Sequence, residues 1–336
     1  MSIRRRRLVW GVAAAAATTL AATLGVTWAS HAEVEEAAGC TEVSEMYEVC
    51  LTRPDQQDSG VDFSIVNRLT DYVEATEEGD VIRGALFTWD LFDGHGEEVP
   101  EVVALLDAVV EAHNSGVDVR IVLDGNQDRN DEVADRLRAA GVPRSLCDGG
   151  CLPNGVDDKT GSMHMKFFTF SSGGEYKVAH TSSNMTKGQA GRHQNLLSVT
   201  GDEKLYDNYV GYWNRMKERS WTYEGVEWTG KDRARVGDTP GIKSYFFPRQ
   251  EADPIRGTLE HLTCSEGNDR IWVAASLFYT DERLPVLQVL DDLESSGCDV
   301  RVVVAGDDDY KWVNDNSNLD SVRQLDAGAN WGSHHN

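Results

Sequence analysis

Apolar residues at Phe63, Ile65, Val66, Leu69 and Val73 recur at helical spacing and predict a helix beginning near Asp62. After the polar break Glu77-Glu78-Gly79-Asp80, the run Val81 to Phe87 is continuous enough for a short buried strand. Val99 to Asn114 returns to helical periodicity and stops at Ser115-Gly116, and Val117 to Asp124 is again strand-like. That succession is a β-α-β unit, which requires a parallel strand pair with a crossover helix. A helix over Asp131 to Ala140 and a Gly/Pro-rich loop then lead to Met163 to Phe170, read as a strand. Its alternation puts His164, Lys166 and Phe168 on one face and Met165, Phe167 and Thr169 on the other. Glu175 to His180 reads as its hairpin partner, Leu196 to Val199 as a further strand, and Leu205 to Trp221 as a helix. The stripe Tyr206, Tyr209, Tyr212, Trp213 and Met216 on that helix is read as core packing rather than a ligand box.

Residues 222–254 are richer in Gly, Pro and charge and read as a linker, with a short strand at Ser244-Tyr245-Phe246-Phe247. Beyond it the pattern repeats. Arg270 to Phe278 parallels Val81 to Phe87, and Leu284 to Leu293 parallels the helix from Val99. Gly297-Cys298-Asp299-Val300-Arg301 parallels Gly116-Val117-Asp118-Val119-Arg120. The Gly-x-Asp-Val-Arg turn in both places points to two homologous α/β halves, residues 61–221 and 255–336, joined by the linker.

Residues 1–32 read as an export signal: basic Arg4 to Arg7, an Ala-rich apolar core from Leu8 to Val26, and a small-x-small site at Ser30-His31-Ala32. An uncleaved anchor helix is the alternative, and the weak hydrophobicity of Ala and Thr favours cleavage. After cleavage no stretch is long and apolar enough to span a membrane, so the expected location is extracellular. Residues 33–60 read as a loosely ordered acidic lead-in. Six cysteines in an exported chain point to disulfides. Six cysteines allow many connectivities, of which pairing sequence neighbours is the simplest: Cys40 with Cys50, Cys147 with Cys151 and Cys264 with Cys298. Zinc is the rival, disfavoured because Cys147-x3-Cys151 has no second pair at ligand spacing. The formal charge of -24 gives a self-repelling surface that counts against a protein tracking along nucleic acid through its phosphates.

The candidate chemistry sits at His164-x-Lys166. Imidazole can attack or protonate near neutral pH and ammonium can neutralise an anion's oxygens, a combination suited to a phosphate. With Ser182-Ser183-Asn184 following on the next strand, the stretch resembles the phospholipase D superfamily, whose signature is His-x-Lys-x4-Asp followed by Gly-Ser-x-Asn. His164, Lys166, Ser182 and Asn184 match it; Ser171 stands where the family has Asp, and Thr181 where it has Gly. The resemblance implies two halves, each a mixed sheet flanked by helices, related by a pseudo-two-fold with the site between them. It also implies a second motif, for which the repeat offers His335, followed by Asn336.

By the same resemblance His164 would be the nucleophile and His335 the general acid, an assignment that could be reversed. Lys166, Ser182 and Asn184 would hold the phosphate, and Gln194 or Asn195 would stand where the family places an acidic residue that orients a catalytic His. The reaction implied is hydrolysis or transfer of a phospholipid head group, with no cofactor, no metal and transient contact with a membrane surface. A nuclease of the same superfamily and a catalytically degenerate binding protein are the alternatives. Asp307-Asp308-Asp309, in an expected loop, and His113 or His180 are the residues a metal reading would use; it is disfavoured, since solvated acidic turns are common.

Overall fold

The computed structural model describes residues 39–153, 161–227, 242–247, 253–264, 269–278 and 281–325. The expected signal sequence and His335-Asn336 lie outside them. The first half is built on an eight-stranded mixed sheet. Its strands in chain order are β1 (Gly39–Glu42), β2 (Tyr47–Leu51), β3 (Val81–Leu86), β4 (Asp118–Asp124), β5 (Arg144–Cys147), β6 (Lys166–Ser172), β7 (Glu175–Thr181) and β8 (Asn195–Thr200). Across the sheet they run β1-β2-β8-β7-β6-β3-β4-β5. The helices are α1 (Ser64–Glu74), α2 (Pro100–Asn114), α3 (Asp131–Ala139), the short α4 (Lys187–Ala190) and α5 (Glu203–Glu218).

Strand alternation divides the core. Ile82, Phe168, Phe170, Ala179 and Leu196 pack towards α1 and α2, while Ala85, Val122 and Phe167 pack against Tyr212, Trp213 and Met216 of α5. The aromatic stripe of α5 is therefore core, as expected. Gly84 in β3 is fixed by this packing: a Cβ there would come within 2.7 Å of Ile121 Cδ1 and 2.9 Å of Phe168. The carbonyl of Gly84 also accepts from the buried Trp213 indole, at 2.8 Å.

After a small hairpin of β9 (Thr222–Tyr223) and β10 (Val226–Glu227) and the short α6 (Pro254–Leu259), the second half has a three-stranded parallel sheet. It comprises β11 (Arg270–Ala275), β12 (Asp299–Val304) and β13 (Val322–Gln324), with α7 (Leu284–Ser295) and α8 (Asp307–Asn316) as crossovers. The parallel strands of the two sheets have similar registers. Val81 stands opposite Asp118 as Arg270 stands opposite Asp299, and Ile121 opposite Arg144 as Val302 opposite Val322.

A less visible equivalence lies at the strand ends. Buried Asn130 accepts from the Trp89 amide at 2.7 Å and donates to the carbonyls of Phe87 and Asp124 at 2.9 and 2.8 Å. In the second half, Asp309 accepts from the Phe278 amide. These side chains tie the β3-α2-β4 and β11-α7-β12 units shut at the ends that face their loops. Asn130→Ala removes three such bonds and leaves buried backbone groups unpaired, so it is expected to destabilise the fold by about 3 kcal/mol or more in urea titrations.

Three expectations change. Residues 39–51 form a hairpin rather than a loose lead-in: Cys40 stands opposite Cys50, and β2 adds antiparallel to β8. Hydrogen bonding to a ready sheet edge orders a segment whose polar composition alone gives no strand signal. Ser244 to Phe247 is not a strand; Phe246 is instead buried and stacked on Tyr212, with ring centroids 4.4 Å apart. Asp307 to Asp309 opens α8 instead of lying in a loop, where carboxylates favour the positive end of the helix dipole. The three expected cysteine pairs are all disulfides.

Candidate active site

The predicted polar residues of the first half gather where β6 begins, β7 ends and β8 begins. β6 starts at Lys166, so His164 lies just before the strand; the chain there is still laddered to the extension of β3, with the Phe87 amide donating to Met165 at 2.9 Å. Lys166 is only 1% exposed, and its length carries Nζ back to the exposed His164. Nζ donates to the His164 carbonyl at 2.8 Å and lies 3.2 Å from each ring nitrogen. Phe87 covers the pair, its ring 4.6 Å from the imidazole and 5.2 Å from Nζ. Burial pushes the Lys166 ammonium down to about 7, so the group is poised to gain a charge when an anion arrives.

From the other side, the segment after β7 is held against the extension of β3: the Met185 amide donates to Thr88 and the Asp90 amide to Met185, both at 3.0 Å. That pairing presents Asn184, which is 7% exposed and whose buried Oδ1 has no hydrogen-bond partner. A buried amide oxygen left unpaired is costly in a protein interior unless a ligand or water meets it. Lys166, His164 and Asn184 thus converge at the same strand ends.

The side chains of Ser182 and Gln194 bond to each other. The Ser182 hydroxyl donates to Gln194 Oε1 at 2.6 Å and accepts from the Asn195 amide at 3.0 Å. Fully buried Gln194 then donates through Nε2 to Gln189, at 2.6 Å. Its side chain locks the turn carrying Asn184, and it is engaged with Ser182 rather than with an imidazole ring. The Asn195 carbonyl likewise accepts from the Thr181 hydroxyl at 2.6 Å and the Ser182 amide at 3.0 Å. An amide in place of a carboxylate suits this use, because Gln can donate and accept at once. Gln194→Met is therefore expected to lower the urea midpoint and to reduce turnover through misplacement of Asn184, with the wild-type pH profile retained.

Two polar side chains next to this cluster, Asp124 and His180, are not assigned to the phosphate site by pattern reading. Asp124 closes β4 and is fully buried; it accepts from the Met163 amide at 2.5 Å and the Asn126 amide at 2.8 Å. It fixes the backbone one residue before His164, and burial raises its carboxyl above the usual range. An acidic residue ending an apolar strand is the only sequence signal. His180 stands opposite Phe167, one residue from Lys166, and its Nδ1 is 3.1 Å from the Tyr209 hydroxyl. Burial, and then the nearby Lys166, push its imidazole down to about 4, so it is neutral at pH 7.

The family described as cardiolipin synthase, PLD-like domain, matches residues 97–217. No curated protein matches the chain. Among solved structures, Nuc of Salmonella typhimurium, a phospholipase D family member, is 17% identical over 52% of this chain and 94% of its own, with a TM-score of 0.38. NucT from Helicobacter pylori is 17% identical over 52% of this chain and 97% of its own, TM-score 0.37. The polyphosphate kinase of Porphyromonas gingivalis is 13% identical over 86% of this chain and 42% of its own, TM-score 0.49.

Proposed function

We propose that this chain, whose residues 97–217 match the family described as cardiolipin synthase, PLD-like domain, is an exported phosphodiesterase that cleaves phospholipid head groups. The observation that carries the reading is the approach of the buried Lys166 ammonium to His164, and the unpartnered, buried amide oxygen of Asn184 supports it. In the reaction a neutral His164 nitrogen attacks phosphorus; a P–N bond forms as the P–O bond to the leaving alcohol breaks. The leaving alkoxide takes a proton from a general acid, the role assigned to His335. Water then attacks the phosphohistidine, breaking the P–N bond and returning the ring, while a different alcohol at this step would give transfer. Lys166 and the Asn184 amide stabilise the charge gathering on the non-bridging oxygens.

Asp124 positions the His164 backbone, and Ser182 with Gln194 positions Asn184. Export is supported by the basic-then-apolar start of the sequence and by three disulfides. The charge of -24 supports a lipid over a nucleic acid. No helix of the described residues is long and apolar enough to cross a membrane, so contact with lipid would be through the surface.

The test is incubation with phosphatidylcholine vesicles and, separately, with plasmid DNA, both in EDTA. Choline release without nicking is expected. Nicking without choline release would replace the lipid reading with a nuclease, and silence on both substrates would favour the binding protein.

A further inference from the structure

A cavity of about 570 Å³ opens beside the candidate site, on the α5 side of the sheet. Its floor is formed by Val49 and Leu51 of β2, Leu197 and Val199 of β8 and Val178 of β7, neighbouring strands of the sheet. Its wall includes Ile242 to Tyr245. The size falls within the range of roughly 300–1,000 Å³ that holds small ligands.

The polar groups are not spread evenly. His180 and Asn195 stand at the end nearest the site, where Asn195 is bonded to Ser182 and His180 neighbours Lys166. Lys243 is exposed on the wall. None of the lining residues is acidic, in a chain with 56 Asp and Glu. Leu51 and Leu197 on the floor remain 41% and 45% exposed. A groove with neutral polar groups at the end nearest the site, one lysine on its wall, no carboxylate and an apolar floor is complementary to an anionic head carrying a long alkyl tail.

We infer that this groove, between the β2-β8-β7 face and residues 242–245, holds one acyl chain of the phospholipid whose phosphate lies at His164 and Lys166. The inference rests on the proposed phospholipid substrate and extends it to a specific subsite. The β2 hairpin, which the sequence left as a loose lead-in, then has a use: it widens the sheet into a platform for the tail. His180, held neutral beside Tyr209, can face the glycerol ester region without adding a charge to an apolar channel.

The full chain is titrated calorimetrically with dodecylphosphocholine and with hexylphosphocholine, each below its micelle threshold. Leu51→Glu and Leu197→Glu are titrated alongside, and bis(p-nitrophenyl) phosphate hydrolysis is followed in all three proteins. Both substitutions are at exposed positions outside the proposed catalytic set. The wild type is expected to bind the twelve-carbon probe on the order of tenfold or more tighter than the six-carbon probe. Each variant is expected to lose most of that preference while hydrolysing the soluble diester at the wild-type rate.

Chain-length-independent binding by the wild type, or a preference unchanged in both variants, would overturn the groove assignment. A variant-sensitive chain-length preference without diester hydrolysis would support the groove while removing the phosphodiesterase reading.

Discussion

Lys166→Met is expected to lower kcat on a soluble phosphodiester by about 10²–10³-fold, the scale seen when a preorganised charge donor is removed from a reaction that gathers negative charge. The same substitution should raise stability at pH 6. Lys166 is 1% exposed and burial lowers its ammonium to about 7, against an ordinary value of 10.5. Below pH 7 the group is charged in both folded and unfolded chains, so the folded state bears the full desolvation penalty. Between pH 7 and 10.5 the unfolded chain holds a proton that the folded chain has released, and stability from this group rises with pH. Met fills similar space with no charge to bury. Urea midpoints at pH 6 and pH 9 therefore separate the effects: the variant exceeds the wild type at pH 6, and the gap narrows at pH 9. A variant less stable than the wild type at pH 6 would mean that the ammonium is structural. Free-enzyme activity carries the complementary sign, since kcat/KM should fall as pH rises through about 7, where Lys166 loses its proton.

The second large effect concerns His164. His164→Asn is expected to reduce turnover to about 10⁻⁴ or less of the parent, the scale expected when a nucleophile is removed from a covalent mechanism. Stability should barely change, because His164 is exposed and the Lys166 bond goes to its backbone carbonyl, which any residue supplies. Loss of activity without loss of fold distinguishes it from Asp124→Ala, which unpins the Met163 amide and should disturb both. A His164→Asn protein retaining a tenth of the parent's rate would move the nucleophile elsewhere.

The backbone of the fold was largely legible because two physical signals were strong. The largely buried parallel strands β3 and β4 give continuous apolar runs, and the Gly-x-Asp-Val-Arg turn recurs where each crossover helix hands the chain back to the sheet. The site was legible only as far as its chemistry is local. His164 and Lys166 are two residues apart, and their contact follows from the chain between them. Asn184 was placed by motif, yet what holds it is long-range: the Met185 amide meets Thr88, and Gln194 meets Ser182. Nothing near Gln194 in sequence distinguishes an amide that steadies a turn from one that orients an imidazole. Asp124 and Asn130 were hidden for the same reason, since each acts on backbone groups distant in the chain. The β1-β2 hairpin escaped because its order comes from pairing with β8, on the far side of the domain's sequence.

The central claim is that His164 forms a covalent bond to the phosphorus of the substrate. It is tested most directly by mixing enzyme with excess bis(p-nitrophenyl) phosphate, quenching within one turnover in alkali, where phosphohistidine survives, and weighing the peptide that contains His164. The account predicts a phosphoryl ester adduct on that peptide in the wild type and none in His164→Asn. Steady hydrolysis with no adduct on the His164 peptide, or with the adduct on another residue, would contradict it.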